Sequence, residues 1–346
     1  MAKAKRARIQ DVAEKAGVST MTVSRVLSKD TKVSDAKTTL VMDAVKALNY
    51  RPNVAARRLA GSQSFLIGLL YFDSDTSYVS KFLLRGLKSC RATGHHLVAD
   101  EIDDDIEKSI VAVKELIEVT QVDGIILLPP VCDIPEVLTT LKEADVPYVR
   151  IAPDSQLNLS PYICMDDYQA GFEITELLIK QGHTKIGHII GNPNQGASRL
   201  RYQGYLDALR SNQINVPPEY IEQGLFTYNS GFDAAKKMLA LKDKPSAIFA
   251  ANDEMAAGVI SAAHMNQLTI PSQLSVAGFD DGNLATTVTP NLTTISQPIQ
   301  AMASLAVELL VSKKFSDSST ANSREYRHVL DFEIVERDSS SVNAKN

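Results

Sequence analysis

Residues 9–27 read IQDVAEKAGVSTMTVSRVL, and their spacing predicts two short helices about one tight turn. Ile9, Val12, Ala13 and Ala16 recur at i, i+3, i+4 and i+7, the apolar stripe of one helical face. Gly17 ends the stripe, and Ser19 stands where a hydroxyl caps the next helix. In that second helix Val23, Val26 and Leu27 face inward, while Met21, Ser24, Arg25 and Ser28 form an opposite stripe that needs no burial. Ser34 then caps a third helix whose inner face is Val41, Ala44, Val45 and Leu48. Two helices about a Gly turn, closed by a third, is the helix-turn-helix layout. An Arg on the open face of the second helix suits major-groove reading, because its fork matches guanine O6 and N7.

Charge supports a nucleic-acid partner for this head. Residues 1–62 hold 13 Lys and Arg against 5 Asp and Glu, whereas the remainder hold 23 against 36, within an overall charge of −5. A basic head on an acidic body is the footprint of a phosphate-binding module joined to something that avoids nucleic acid. After Arg51-Pro52-Asn53 comes VAARRLAG, about two helical turns, too short to stand alone in water. It should order only on binding. Leu59, flanked by Arg57, Arg58 and Ala60, suits an apolar wedge in a minor groove.

From Phe65 strands and helices alternate: FLIGLLYF, HHLVADEI, DGIILLP and VPYVRI, then YICMDD, KIGHIIG, SAIFAAND and LSVAGFDD, with helical segments between them. Two similar βαβ halves, each a doubly wound parallel sheet with helices on both faces, are the expected architecture. Ligands bind such sheets beyond the carboxyl ends of the strands. Phe72-Asp73, Asp166-Asp167, Asn192, Asn252-Asp253 and Asp280-Asp281 fall at those ends. Carboxylates and amides beside aromatic rings suit a polyhydroxyl ligand: hydrogen bonds to hydroxyl pairs, ring faces for C–H surfaces.

IQDVAEKAGVSTMTVSRVLSKDTKVS followed by NYRPNVAARRLAG resembles the lactose/galactose-repressor family of bacterial regulators, and the likeness runs from about residue 8 to about 338. It implies a multidomain chain: a helix-turn-helix domain at 1–52, a hinge helix and linker at 53–64, and a two-lobed periplasmic-binding-protein-like α/β domain at 65–338. Lobe 1 takes about 65–164 plus 296–326, lobe 2 about 165–295 plus 327–338, with crossings near 164, 295 and 327 and a polar tail at 339–346. Carried over by position, Thr20, Met21 and Arg25 read bases, while Ser19, Ser24, Lys32, Ser34 and Asn53 position phosphates. Leu59, with its dimer mate, pries open a central CG step. Arg8 departs from the Thr or Ser that often caps the first helix. RLRYQGY makes Arg201 the ligand clamp; ANDEMA and GFDD implicate Asn252 and Asp280; Phe226 packs on the ligand, with Phe72, Tyr78 and Gln297 lining. The acidic position some sugar-binding members use after VPYV is Ala152 here.

The implied function is sequence-specific transcriptional regulation, most simply repression. Double-stranded operator DNA and a small-molecule effector, a sugar or its derivative, are the partners. A purine effector is the alternative, and is disfavoured because purine-responsive members carry His at the position of Arg25. From a different class, a solute receptor would share the body. SSSVNAKN carries no leucine heptads, so a homodimer is expected rather than a tetramer-forming coil. No signal-peptide core precedes the head and no apolar run approaches ~18 residues, which places the chain in the cytoplasm with no membrane role. Cys90, Cys132 and Cys164 show neither disulfide nor metal spacing. Gly191–Gly196 has the outer spacing of a P-loop, but Ala197-Ser198 stands where Lys-Ser/Thr is required. No nucleophile elbow or HExxH occurs, so no enzymatic activity and no cofactor are expected. The histidines read as strand-edge or turn residues, and Asp103-Asp104-Asp105 as a helix cap.

Overall fold

The computed structural model describes residues 7–27, 33–48, 50, 64–72, 77–102, 105–312 and 327–343. The chain divides into two compact units, Met1–Phe65 and Leu66–Asn346.

In the first unit α1 (Ile9–Ala16), α2 (Thr20–Leu27) and α3 (Asp35–Ala47) enclose Val12, Ala13, Ala16, Val23, Val26, Val41 and Ala44. Gly17 takes φ +66°, the left-handed geometry that lets the chain reverse in one residue. At Arg8 the main-chain N–H donates to the Asp11 carboxylate at 2.7 Å, so the first helix begins without a Ser or Thr cap.

The second unit holds two six-stranded sheets. The first is built by β1 (Leu66–Phe72), α4 (Ser77–Ala92), β2 (His96–Ile102), α5 (Ile106–Lys114), β3 (Gly124–Leu127), α6 (Pro135–Glu143), β4 (Tyr148–Ile151) and β5 (Tyr162–Met165). The chain then enters the second with α7 (Asp167–Lys180), β6 (Ile186–Ile190), α8 (Gly196–Ser211), β7 (Ile221–Gln223), α9 (Tyr228–Leu239), β8 (Ala247–Ala250), α10 (Asp253–Met265), β9 (Ser275–Phe279), α11 (Asn283–Thr287) and β10 (Thr293–Ser296). It returns with α12 (Ile299–Val311) and closes with β11 (Arg327–Leu330) and β12 (Glu333–Val335). The strand orders are β11-β5-β4-β3-β1-β2 and β12-β10-β9-β8-β6-β7, parallel except for β12 against β10. The central strands, β3 (GIIL) and β8 (AIFA), are buried along their whole length, as parallel strands covered on both faces must be. Strand order reverses at β1 between β2 and β3, and at β6 between β7 and β8. Each lobe therefore has a switch-point crevice at the carboxyl ends of these strands.

Two boundaries differ from expectation. Residues 327–338 do not all fall in lobe 2: Arg327–Leu330 pairs with β5 in the first sheet, and Glu333–Val335 pairs with β10 in the second. The third crossing thus falls at Asp331-Phe332, not near 327. Part of the expected polar tail is also packed structure, while Val342 stays exposed. Ser339 is fully buried; its hydroxyl donates to the Val276 carbonyl and accepts from Thr293 N–H, while its main chain bonds Val276 and Asn291. Serine suits this place because one hydroxyl satisfies two buried main-chain groups. Asp105 caps α5 by accepting from Glu107 and Lys108 N–H, as its sequence position predicts; Asp103 and Asp104 lie outside the described residues. His188 sits mid-strand in β6, not at an edge. Its ring stacks on Tyr202 and Tyr205 against Phe249, and burial holds its pKa down at about 3. No described helix is long and apolar enough to cross a membrane.

Candidate functional site

In the head, burial of Val23 and Val26 against α1 and α3 turns the opposite side of α2 outward. Thr20, Met21, Ser24 and Arg25 are all exposed there, Met21 to 65%. An exposed methionine on a helix with a formed core is a side chain held available for contact. Ser19 caps the helix, its Oγ accepting from Thr22 N–H at 3.2 Å. Ser34 holds the N-cap position of α3 and is exposed, but its side chain makes no cap bond. Lys32, Asn53, Leu59 and Ala60, together with the hinge segment, lie outside the described residues.

In the body a cavity of about 600 Å³ opens where the two lobes face each other. All seven residues expected to line it do so: Phe72, Tyr78, Arg201, Phe226, Asn252, Asp280 and Gln297. Phe72 ends β1 and Tyr78 stands in the first turn of α4, both from lobe 1; Asn252 and Asp280 follow β8 and β9 of lobe 2. Asn252 caps α10, its Oδ1 accepting from Met255 N–H, while its Nδ2 donates to the Phe226 carbonyl and to Glu254. One side chain thereby ties a helix start to the loop that carries the aromatic. The Phe226 ring is placed by Gly191, since a Cβ there would lie 2.1 Å from Phe226 Cζ.

Arg201 is 95% buried in the second turn of α8. Its Nε donates to Asp167 Oδ1 at 2.8 Å, Nη2 is ion-paired with the same oxygen at 2.8 Å, Nη1 donates to the Ala251 carbonyl at 2.7 Å, and the guanidinium lies 3.5 Å from the centre of the Phe279 ring. Gln297 Nε2 donates to Asp280 Oδ1 at 2.5 Å. Burial pushes the Asp280 carboxyl up to about 7, although Arg201 pulls it down; Glu254 pushes the same way as burial. Asp253, buried behind it, is held well above the usual carboxylate range by desolvation and by Asp280. Burial, with Asp167 and Asp280 nearby, raises the Tyr78 hydroxyl, which stays a proton donor. Ala152, Phe226 and Asp280 take φ of 45°, 64° and 109°, left-handed geometries costing about 1–3 kcal/mol each that gather at ligand sites.

Sequence reasoning had Asp167 and Asn192 at strand ends but gave no role to Glu254, Gln195 or Tyr228, which also line the cavity. Glu254 Oε1 accepts from the Ser77 N–H at 3.0 Å, joining lobe 2 to the start of α4 in lobe 1. An acid in the first turn of a helix reads as an ornament of the dipole, so nothing local marks it as a bridge. A second inter-lobe contact pairs Arg199 with Asp154 at 2.6 Å.

A helix-turn-helix head and, in the same chain, a two-lobed α/β body with a polar, aromatic-walled cavity define a DNA-binding regulator with a ligand-binding domain. Residues 8–53 match the bacterial regulatory proteins of the lacI family, and residues 175–340 match the periplasmic binding protein-like domain. The ribose operon repressor of Escherichia coli (strain K12) is 36% identical over 314 residues, covering 89% of this chain and 93% of the repressor. The transcriptional repressor PurR of Pectobacterium carotovorum subsp. carotovorum (strain PC1) is 34% identical over 335 residues, 96% of each. The structure of the Lac repressor dimer bound to operator and the anti-inducer ONPF superposes with a TM-score of 0.77 at 28% identity, over 97% of this chain and 100% of that one. The chain belongs to the lacI family of bacterial regulatory proteins; the relatives are transcriptional regulators, not enzymes.

Proposed function

We propose that the protein binds a palindromic DNA operator as a homodimer in the cytoplasm, acts as a repressor, and is controlled by a small carbohydrate or sugar-derived effector held between its lobes. The observation that carries this is the single cavity wall assembled from both lobes, with Phe72 and Tyr78 on one side and Arg201, Phe226, Asn252 and Asp280 on the other. A ligand touching both sides favours one lobe arrangement by the difference of its affinities for the two, and that difference is what can be passed to the DNA-binding end. Amides and carboxylates beside rings favour a polyhydroxyl ligand. The 36% identity to a ribose operon repressor supports the same class. A purine is the second reading, favoured by the PurR likeness and by the aromatic rings that line the cavity.

A thermal-shift screen of mono- and disaccharides, sugar phosphates and purines tests this. At 100 times Kd a ligand adds about 2.7 kcal/mol of stability. The best hit is then added to a gel-shift titration on a palindromic operator. A ligand that raises the melting temperature and changes operator affinity supports the proposal; one that leaves operator affinity untouched removes the regulatory role from the cavity.

A further inference from the structure

The charges around the cavity are lopsided. Among the described residues, Asp167, Glu254 and Asp280 line it against Arg201 as the one cation, and no lysine does. Arg201 is already engaged: Nε donates to Asp167, Nη1 donates to the Ala251 carbonyl, and Nη2 is ion-paired with Asp167. The nearest other cations are spent elsewhere. Lys81 donates to the Asp280 and Asp281 carbonyls, and Arg199 is paired with Asp154. What remains on the described wall besides the carboxylates is neutral: amides such as those of Asn192, Gln195 and Gln297, and hydroxyls such as that of Tyr78. Burial has pushed Asp280 toward its neutral form even though Arg201 and Lys81 act against it.

From this balance we infer that the cavity takes an uncharged, donor-rich effector and rejects its phosphorylated or carboxylated counterpart, with Glu254 as the residue that sets the discrimination. The inference rests on the cavity being the effector site. A hydroxyl donates to Glu254 and Asp280 and accepts from Arg201 or an amide. A phosphate has only acceptor oxygens, so it meets the carboxylates acceptor to acceptor and like charge to like charge. Glu254 is the decisive member because Asp167 is neutralised by Arg201 and Asp280 has the charges of Arg201 and Lys81 acting on it, whereas the hydrogen-bond partners described for Glu254, Ser77 N–H and Asn252 Nδ2, are neutral.

Calorimetry on the full-length protein with paired probes tests it: D-ribose beside D-ribose 5-phosphate, D-glucose beside D-glucose 6-phosphate, cellobiose beside cellobionate, and hypoxanthine beside inosine 5′-monophosphate. In the best-binding pair the uncharged member should bind at least about tenfold more tightly, since like charges brought together without counter-ions are strongly disfavoured. Glu254→Gln should narrow that ratio by improving the anion; a Glu254 that only braces the lobes would weaken both members alike. An anion that binds as well as its neutral counterpart in the wild type overturns the inference. Phe226→Ala separates this from failure of the site itself. If the anion binds and Phe226→Ala weakens it, the cavity stands and the charge rule falls. If Phe226→Ala leaves the best ligand's affinity unchanged, the cavity is not the site and both readings fall.

Discussion

Arg201 has a structural duty beside any ligand contact, because its guanidinium is paired with the carboxylate of Asp167 and both side chains are almost fully buried. Truncating one partner of a buried pair strands the other charge, at a cost of about 3–5 kcal/mol. Arg201→Ala should therefore lower the urea midpoint of the body as well as ligand affinity, and Arg201→Ala with Asp167→Ala should regain part of the loss. A single variant that unfolds at the wild-type midpoint would show the pair to be dispensable. Arg25 is a cleaner residue, exposed on α2 away from the head's core. Arg25→Ala should cost about 1–3 kcal/mol per half-site on the correct operator and almost nothing on scrambled DNA; equal losses in a gel-shift titration would remove its base-reading role. Residues of this kind were legible in the sequence because each stands at a strand end or on a stripe that the core does not use. Glu254 and the engagement of Arg201 by Asp167 were not, since both depend on which loops meet across 34 or more residues of chain.

Among the elements, two helix pairs are set by glycine. A Cβ on Gly171 of α7 would lie 2.4 Å from the Arg201 carbonyl, and one on Gly204 of α8 would lie 2.2 Å from the Tyr168 carbonyl. Gly231 of α9 and Gly258 of α10 meet Met255 and the Tyr228 carbonyl in the same way. Each lining residue near these crossings, Arg201 on α8 and Tyr228 on α9, is thus positioned by backbone touching backbone. Gly171→Ala must push α8 outward, since the obstacle is main chain and cannot rotate away. It should cost about 1–3 kcal/mol and weaken effector binding beyond what the lost stability explains. Calorimetry beside a denaturant melt distinguishes the two effects, and unchanged ligand affinity would show that Arg201 tolerates the shift. The helices and strands themselves were readable because apolar runs and 3.6-residue stripes are local. The division of 327–335 between two sheets was not. RHVL and EIV carry no local sign of which lobe they join, and only their pairing with β5 and β10 decides it.

For the whole body, stability against pH is shaped by buried groups that pull in opposite directions. Asp280 has its carboxyl raised from 3.8 to about 7, so the folded state holds a proton that the unfolded chain releases; this contribution is fully present below 3.8 and lost as pH rises through about 7. Asp253 acts in the same direction. His188 is lowered from 6.5 to about 3, so the unfolded chain takes up a proton that the folded state refuses; its contribution is present above 6.5 and lost as pH falls toward 3. Between 3.8 and 6.5 the two oppose each other, and the wild-type profile should be flatter than either group alone would make it. Asp280→Asn removes the gain on acidification: its stability should exceed the wild type's most above pH 7 and fall more steeply below it. His188→Phe keeps the stack on Tyr202, Tyr205 and Phe249 but removes the titration, so the loss on acidification should shrink. Urea midpoints from about pH 5 to 8 read both slopes. Parallel profiles for wild type and Asp280→Asn would mean that Asp280 ionises as an ordinary surface carboxylate and is not desolvated in the folded body.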